Sequence, residues 1–306
     1  ASEAVRALAL SPGPQGVLFV DGISRKFKFK QIRAAAAKAL DFAASQLGIT
    51  SEELIDRMIP DLGFDEHMQR VFDYGERKFT VRITISLEIE VFDEKGKKLK
   101  NLPAPGKKDD SVRAAEAYEE FKQMKKQMKT TVSAQKMRLE RAFFTERKWS
   151  IRAWKDLFVK NPIMHQFAIG LIWGVYEERN LAASFRYMED GSFNTEKEEE
   201  FILPDETCEK KVGQTDSQRE VIGLGQVIGR GQVVGLVHPI ELSKESLSTW
   251  KEQLEDYEIV QPIQQLHRQV SYRTEEEGKQ RKLHRFYGVN LNGLSLGGKL
   301  LAQGWC

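Results

Sequence analysis

The sequence predicts an α+β protein: a helical N-terminal piece, a small antiparallel β meander, one long amphipathic helix, then a mixed α+β core. Three observations carry this. Apolar residues recur at three/four spacing before residue 60 and again from Ser111 to about Arg147. Between 61 and 108 they alternate in twos. The stretch from Trp149 to Gly191 crowds three of the five tryptophans around a Pro break and reads as the interior.

A chain of 306 residues, 41% hydrophobic and 30% charged, can bury a sizeable core and is not disordered as a whole. The two cysteines, Cys208 and Cys306, lack CxxC or Cys/His spacing. That excludes a disulfide framework or zinc site and points to a reducing cytoplasm, with no metal or cofactor expected. No apolar run approaches the ~18 residues of a membrane helix, so no membrane association is expected. The chain opens without Met inside a helical pattern and stops on Gly-Trp-Cys, which reads as a piece of a longer protein.

Residues 1–60 form the first unit. Ile32, Ala36, Leu40, Ala43 and Leu47 make a helical stripe over 31–47, closed by Gly48. Thr50-Ser51-Glu52-Glu53 supplies capping chemistry for a short helix that Pro60 ends. The alternating segment 23–31 fits either an edge strand or an inter-helix turn. Residues 61–110 are the meander and linker. Strands are expected at Val71–Tyr74, Phe79–Ile85 and Leu87–Val91, a hairpin turn at Asp93–Lys97, and a Pro/Gly/Lys linker over 103–108.

Residues 111–306 are the core domain. Its long helix places Ala114, Tyr118, Phe121, Met124, Met128, Val132, Leu139 and Phe143 on one stripe. Ser150 caps a helix over 151–160, and a second, almost wholly apolar helix is expected over Ile163–Tyr176. Strands follow at Leu181–Met188, with Glu189-Asp190-Gly191 as turn, and at Phe201–Leu203. A polar and Gly-repeat insertion occupies about 205–232. Then come a strand at Val233–Val237, a helix from Ser243 to Leu254, and a short helix from Val260. Short strands at Val270–Arg273 and Phe286–Val289 flank a charged helix, Glu275–Leu283, before a turn-rich tail at Gly293, Gly297 and Gly298.

The insertion contains a six-residue repeat, at 221–226, 227–232 and 233–238. It offers GxGxxxG at Gly223, Gly225 and Gly229, but a dinucleotide fingerprint needs GxGxxG opening a helix, and here a strand follows. His165 has neither a carboxylate nor a second His three or four residues on, so it reads as structural.

Charge is split. Residues 111–160 hold 13 Lys/Arg against 6 Asp/Glu, and residues 181–220 hold 5 against 11. Lys122, Lys125, Lys126 and Lys129, with Arg138 and Arg141, are the candidate nucleic-acid contacts, although a lysine-rich helix face is more often simply solvated.

Arg152-Ala-Trp154, Asn161-Pro162, Leu171-Ile-Trp173-Gly-Val-Tyr176, Phe185-Arg186, Glu189-Asp190-Gly191, His238-Pro239, Trp250 and Glu258-Ile-Val-Gln261-Pro262 fall in an order that resembles the bacterial domain-of-unknown-function 4132 family. Some members are labelled molybdate metabolism regulator-like, and some carry WGR or HEAT-type modules. The likeness covers roughly 60–305 and implies that the helical start is the end of a HEAT-like array. It brings no active site to carry over, and the segment between 205 and 232 is longer than the family's usual link.

Two functions fit these features. The first is a non-enzymatic interaction or regulatory module of a larger cytoplasmic bacterial protein. Its partners would be proteins, other domains of the same chain, or nucleic-acid backbone along the basic helix face. The alternative is an enzyme with a site around His238, Glu241, Asp190 and Arg186, with Gln261 and Gln265 nearby if strand ends converge.

Overall fold

The computed structural model describes residues 2–203, 232–280, 288, 290 and 292–303. The repeat at 221–231, both cysteines and most of the expected strand at 286–289 lie outside the described residues.

Four helices open the chain: α1 (Ser2–Ala9), α2 (Pro14–Lys26), α3 (Lys30–Ser45) and α4 (Ser51–Arg57). Ala36, Leu40 and Ala43 are buried as the stripe requires, while Leu47 lies exposed past the helix end. Only a short turn separates α2 from α3, so the alternating 23–31 segment is no strand. Thr50 and Glu53 form the expected capping box at α4. These helices bury an apolar cluster of their own.

β1 (Gln69–Asp73), β2 (Lys78–Ile83), β3 (Ile89–Phe92) and β4 (Lys98–Leu99) form an antiparallel meander in chain order. Helix α5 (Ser111–Phe144), capped by Asp110, lies against it, with Phe121 edge-on to Phe72 at 5.5 Å. At 34 residues α5 is about 50 Å long.

Beyond α5 come β5 (Lys148–Ser150) and α6 (Ile151–Trp154), capped by Ser150 and continued by one π-helical turn, Lys155–Val159. α7 (Pro162–Ile169) follows. The helix expected to reach Tyr176 stops at Ile169; Ile172–Glu177 is instead a strand, β6. A continuous apolar run fits a buried strand as well as a buried helix, and Gly170 and Gly174 with β-branched Ile172 and Val175 tip it. β6 is central in a five-stranded antiparallel sheet, order β5-β9-β6-β7-β8, with β7 (Asn180–Tyr187), β8 (Phe193–Asn194) and β9 (Val233–Leu236). The return strand is thus β8, and Phe201–Leu203 is not a strand.

One face of this sheet meets α6, the π turn and α7 across an aromatic cluster. Trp173 stands 5.2 Å from Trp154, 6.1 Å from Trp149 and 4.6 Å from Phe158. Trp173 donates its indole N–H to the Ala168 carbonyl at 3.0 Å, whereas Trp154 Nε1 is buried without an acceptor among the described residues. The meander, α5 and this face share one continuous apolar core.

The opposite face carries α8 (Lys244–Asp256), whose Trp250 and Leu254 pack with Ile172 and Val237. The chain beyond α8 does not form the helix expected from Val260; it turns, and Gln265 is buried completely against the sheet. Gln265 Nε2 donates to the Ile172 and Val237 carbonyls at 2.7 and 3.0 Å, and its Oε1 accepts from Ile172 N at 3.0 Å. It supplies the backbone groups at the mouth of β6 with the partners that water would otherwise provide. Residues 270–273 are not a strand, α9 is Glu275–Lys279, and the glycine-rich tail forms a helix, α10 (Gly293–Gln303).

Asp56 joins these layers. Its carboxylate accepts from Arg138 Nη2 at 2.7 Å, Arg147 Nη2 at 2.6 Å and Trp149 Nε1 at 3.0 Å, so α4, α5 and β5 meet on one side chain. Asp56→Ala should cost about 3–5 kcal/mol in urea denaturation, because it strands a buried guanidinium. Glu52, bound by the same arginines, is held below its ordinary range by Arg138 and Arg147 although burial pushes it up. Its contribution is complete above that range and is lost as pH falls through the lowered value.

Candidate functional site

The four residues of the expected constellation do not converge. Asp190 sits exposed in its turn, accepting from Ser192 N at 2.9 Å. Arg186 pairs in register with Ile172 and so faces the α8 side. It is 2% exposed, lies 4.4 Å from the Tyr257 ring, and donates to Met188 Sδ at 2.9 and 3.1 Å. Burial lowers its pKa. Its Nη1 has no partner among the described residues. His238 instead stacks on Phe143 of α5, ring centroids 4.8 Å apart.

His238 and Glu241 do belong together. Pro239–Glu241 is a single 3-10 turn closed by a reciprocal cap: Ile240 N donates to His238 Nδ1 at 3.2 Å, and His238 N to Glu241 Oε2 at 2.7 Å. Glu241 also accepts from the Tyr176 hydroxyl at 2.9 Å. Burial, and then the adjoining Glu241 carboxylate, push the Tyr176 phenol far up, so its hydroxyl stays protonated and donates to Glu241. The His238 imidazole is pushed down by burial, with Arg268 adding to the fall and Glu241 opposing it.

The residue that sequence reasoning missed is Lys148. It stands on β5 opposite Gly235 of β9, which in turn pairs with Gly174 of β6. Two facing glycines leave a flat trench across three strands. A Cβ at Gly235 would collide with the Lys148 side chain, and one at Gly174 with Leu181, Tyr176 and Val237. The lysine stem lies in this trench and brings Nζ to 3.1 Å from the centre of the Tyr176 ring. Among the described residues no carboxylate reaches ion-pair distance of that amine, and burial lowers its pKa against the opposing pull of Glu241 and Glu146. A glycine inside a strand was the available signal, but a helical reading of 163–176 hides Gly174. Together Lys148, His238, Glu241, Phe143 and Leu236 line a cleft of about 210 Å³.

A second, larger cleft of about 340 Å³ opens between the meander and α7, beside His67, Arg82, His165 and Gln166. His165 is buried there and its pKa is lowered by burial; Tyr187 Oη lies 3.1 Å from its Nδ1. That is the structural histidine the sequence implied. No cluster of three or more metal-ligating side chains occurs among the described residues.

The sequence profile of "Domain of unknown function (DUF4132)" matches residues 96–305. The chain belongs to that family. It is 32% identical over 285 residues to "Uncharacterized protein YehI" of Escherichia coli (strain K12), an alignment covering 92% of this chain and 21% of that protein. The chain therefore spans about a fifth of this relative's length. No solved structure is significantly similar. Both the cleft and the glycine trench fall inside the DUF4132 match, whereas Asp56 lies before it.

The basic residues separate into two groups. Lys122, Lys125, Lys126, Lys129 and Arg141 are exposed on α5. Arg138 is not: at 7% exposure, bound to Glu52 and Asp56, it is a structural cation and no candidate for a phosphate.

Gly174→Ala should cost about 1–3 kcal/mol by overpacking the trench, measured by thermal unfolding. A substitution without effect would mean that Tyr176 and Leu181 can withdraw freely.

Proposed function

We propose that this DUF4132 chain is a non-enzymatic interaction module of a larger cytoplasmic bacterial protein, and that its α5 ridge engages a polyanion, nucleic-acid backbone above all. The observation that carries the reading is the fate of the charge split on folding. Lys122, Lys125, Lys126 and Lys129 occupy one helix face over about 10 Å and remain exposed. Among the described residues Lys122 makes its ion pair with Glu119 on its own helix, at 3.2 Å, and lies over the Tyr118 ring, while Lys125 leans on Asn101 at 3.4 Å. Lys126 and Lys129 make no ion pair among the described residues.

Among the described residues, the acidic turn that follows β8 is engaged elsewhere. Glu196 accepts from Ser184 and Ser246, at 3.2 and 2.8 Å, and Glu198 accepts from Tyr257 at 3.1 Å, all on the α8 side. A ridge of this kind binds phosphates through counterion release and carries no base specificity. The α1–α4 unit, with its separate apolar cluster, suits the end of a HEAT-like helical array, and the WGR-bearing and molybdate-regulator-like relatives suggested by the sequence resemblance fit a regulatory role. Among the described residues no helix is long and apolar enough to cross a membrane.

The test is anisotropy binding to a short DNA duplex across a salt series. Replacing the four lysines by Gln should weaken low-salt affinity at least about tenfold and flatten the salt slope by roughly 0.9 for each phosphate no longer neutralised. Arg138→Gln, by contrast, should lower stability. Wild-type protein without salt-dependent binding, or a quadruple variant that binds as well, would sink the reading.

A further inference from the structure

A lysine whose stem is laid into a trench of two facing glycines, with its amine over a tyrosine ring, is an unusual arrangement for a surface cation. An ordinary lysine keeps its ammonium in water. Lys148 instead lays its Nζ over the Tyr176 ring, and its side chain lines a cleft with the apolar Phe143 and Leu236 and the polar His238 and Glu241. The carboxylate of Glu241 is held in place by two donors, Tyr176 Oη at 2.9 Å and His238 N at 2.7 Å. It faces the amine without pairing with it. Both neighbours of Lys148 are fixed, because Arg147 and Trp149 each donate to Asp56. The preceding loop holds Glu146 in a left-handed backbone conformation, φ 52°, which most non-glycine residues avoid.

We propose that Lys148 is a carbonyl-capturing amine: the cleft takes a small uncharged aldehyde, aromatic or short-chain, and joins it to Lys148 Nζ as an imine. The amine lone pair adds to the carbonyl carbon and forms the C–N bond while the C=O π pair moves to oxygen. A nitrogen proton passes to that oxygen by way of the Glu241 carboxylate, giving the carbinolamine. The hydroxyl then leaves as water with a proton delivered through Glu241, and the remaining nitrogen proton returns to Glu241, so that the products are the imine and one water with no change in oxidation state. The ligand must be uncharged because the nearest charged groups, Glu241 and Glu146, would repel an anion and compete for a cation. It must be small because about 210 Å³ accommodates little more than one ring. Burial lowers the pKa of the amine, the direction that favours the neutral form that the addition needs.

The experiment uses benzaldehyde with sodium cyanoborohydride on the intact chain, with peptide mapping of benzyl adducts over time. The exposed Lys126 and Lys129 serve as internal standards in the same tube. The expected result is labelling of Lys148 at least about tenfold faster than either standard, with a rate that saturates as benzaldehyde rises. Gly235→Ala, which pushes the lysine stem out of the trench while leaving it in the chain, should bring Lys148 to within about twofold of the standards. Labelling no faster than the standards, or a strictly linear dependence on benzaldehyde, overturns the proposal and leaves Lys148 a strut against Tyr176. These readouts are independent of the α5 lysines' affinity for DNA, so either reading can fail alone.

Discussion

Asp56 is the constraint on which the rest of this architecture depends. One carboxylate accepts N–H groups from Arg138, Arg147 and Trp149, so α4 is tied across a long stretch of sequence to α5, β5 and the loop between them. A buried ion pair is weak evidence of net stability, since desolvation offsets most of its attraction. What it fixes is position. Arg138 sits on α5, Arg147 in the loop after it, and Trp149 on β5. If the anchor lets go, the ridge helix and the edge strand lose their common reference, and Lys148, between two of the donors, loses its own.

The long-range consequences were the part hidden in the sequence. Local signals read well: the Thr50–Glu53 box, the Ser150 and Ser243 caps, and the alternation of the meander all describe contacts within a few residues. Residues 163–176 misled because a buried strand and a buried helix are equally apolar, and periodicity discriminates only when one face is wet. Gly170 and Gly174 were the clue. Arg138 is separated from the lysines by burial that the spacing does not announce. It lies three residues after Gln135 and four before Ala142, both buried, and so on the inner face of α5, whereas Lys122, Lys126 and Lys129 lie on the outer one.

The candidate site was half legible for the same reason. His238 and Glu241 are three residues apart and cap one turn, a relationship that spacing can suggest. Lys148 and Tyr176 reach them only through the register of β5 with β9 and of β9 with β6. Sheet register is set by the whole alternation pattern and the connections, and one connection here runs through the 204–231 segment. Arg186 and Asp190 show the converse. They stand near the right strand ends in sequence, but pleat parity sends Arg186 to the α8 face, where its cation rests on Tyr257 and a thioether rather than on an acid.

Pleat parity also places the described part of the acidic stretch. β7 delivers Ser184 and Arg186 to the α8 side, and the acidic turn that follows binds there through Glu196 to Ser184 and Ser246, and through Glu198 to Tyr257. Helix α5 leaves the meander side of the molecule with its lysines outward, held by Phe121 against Phe72 and by Arg70 to Glu120 at 2.7 Å. Among the described residues, then, the α5 lysines and the acids Glu196 and Glu198 are held by separate contacts. Had Ser184 and Arg186 exchanged parity with Phe185, the acidic turn would have been drawn toward the tryptophan face instead. Near its C-terminal end α5 also reaches the residue that follows β9, where Phe143 stacks on His238.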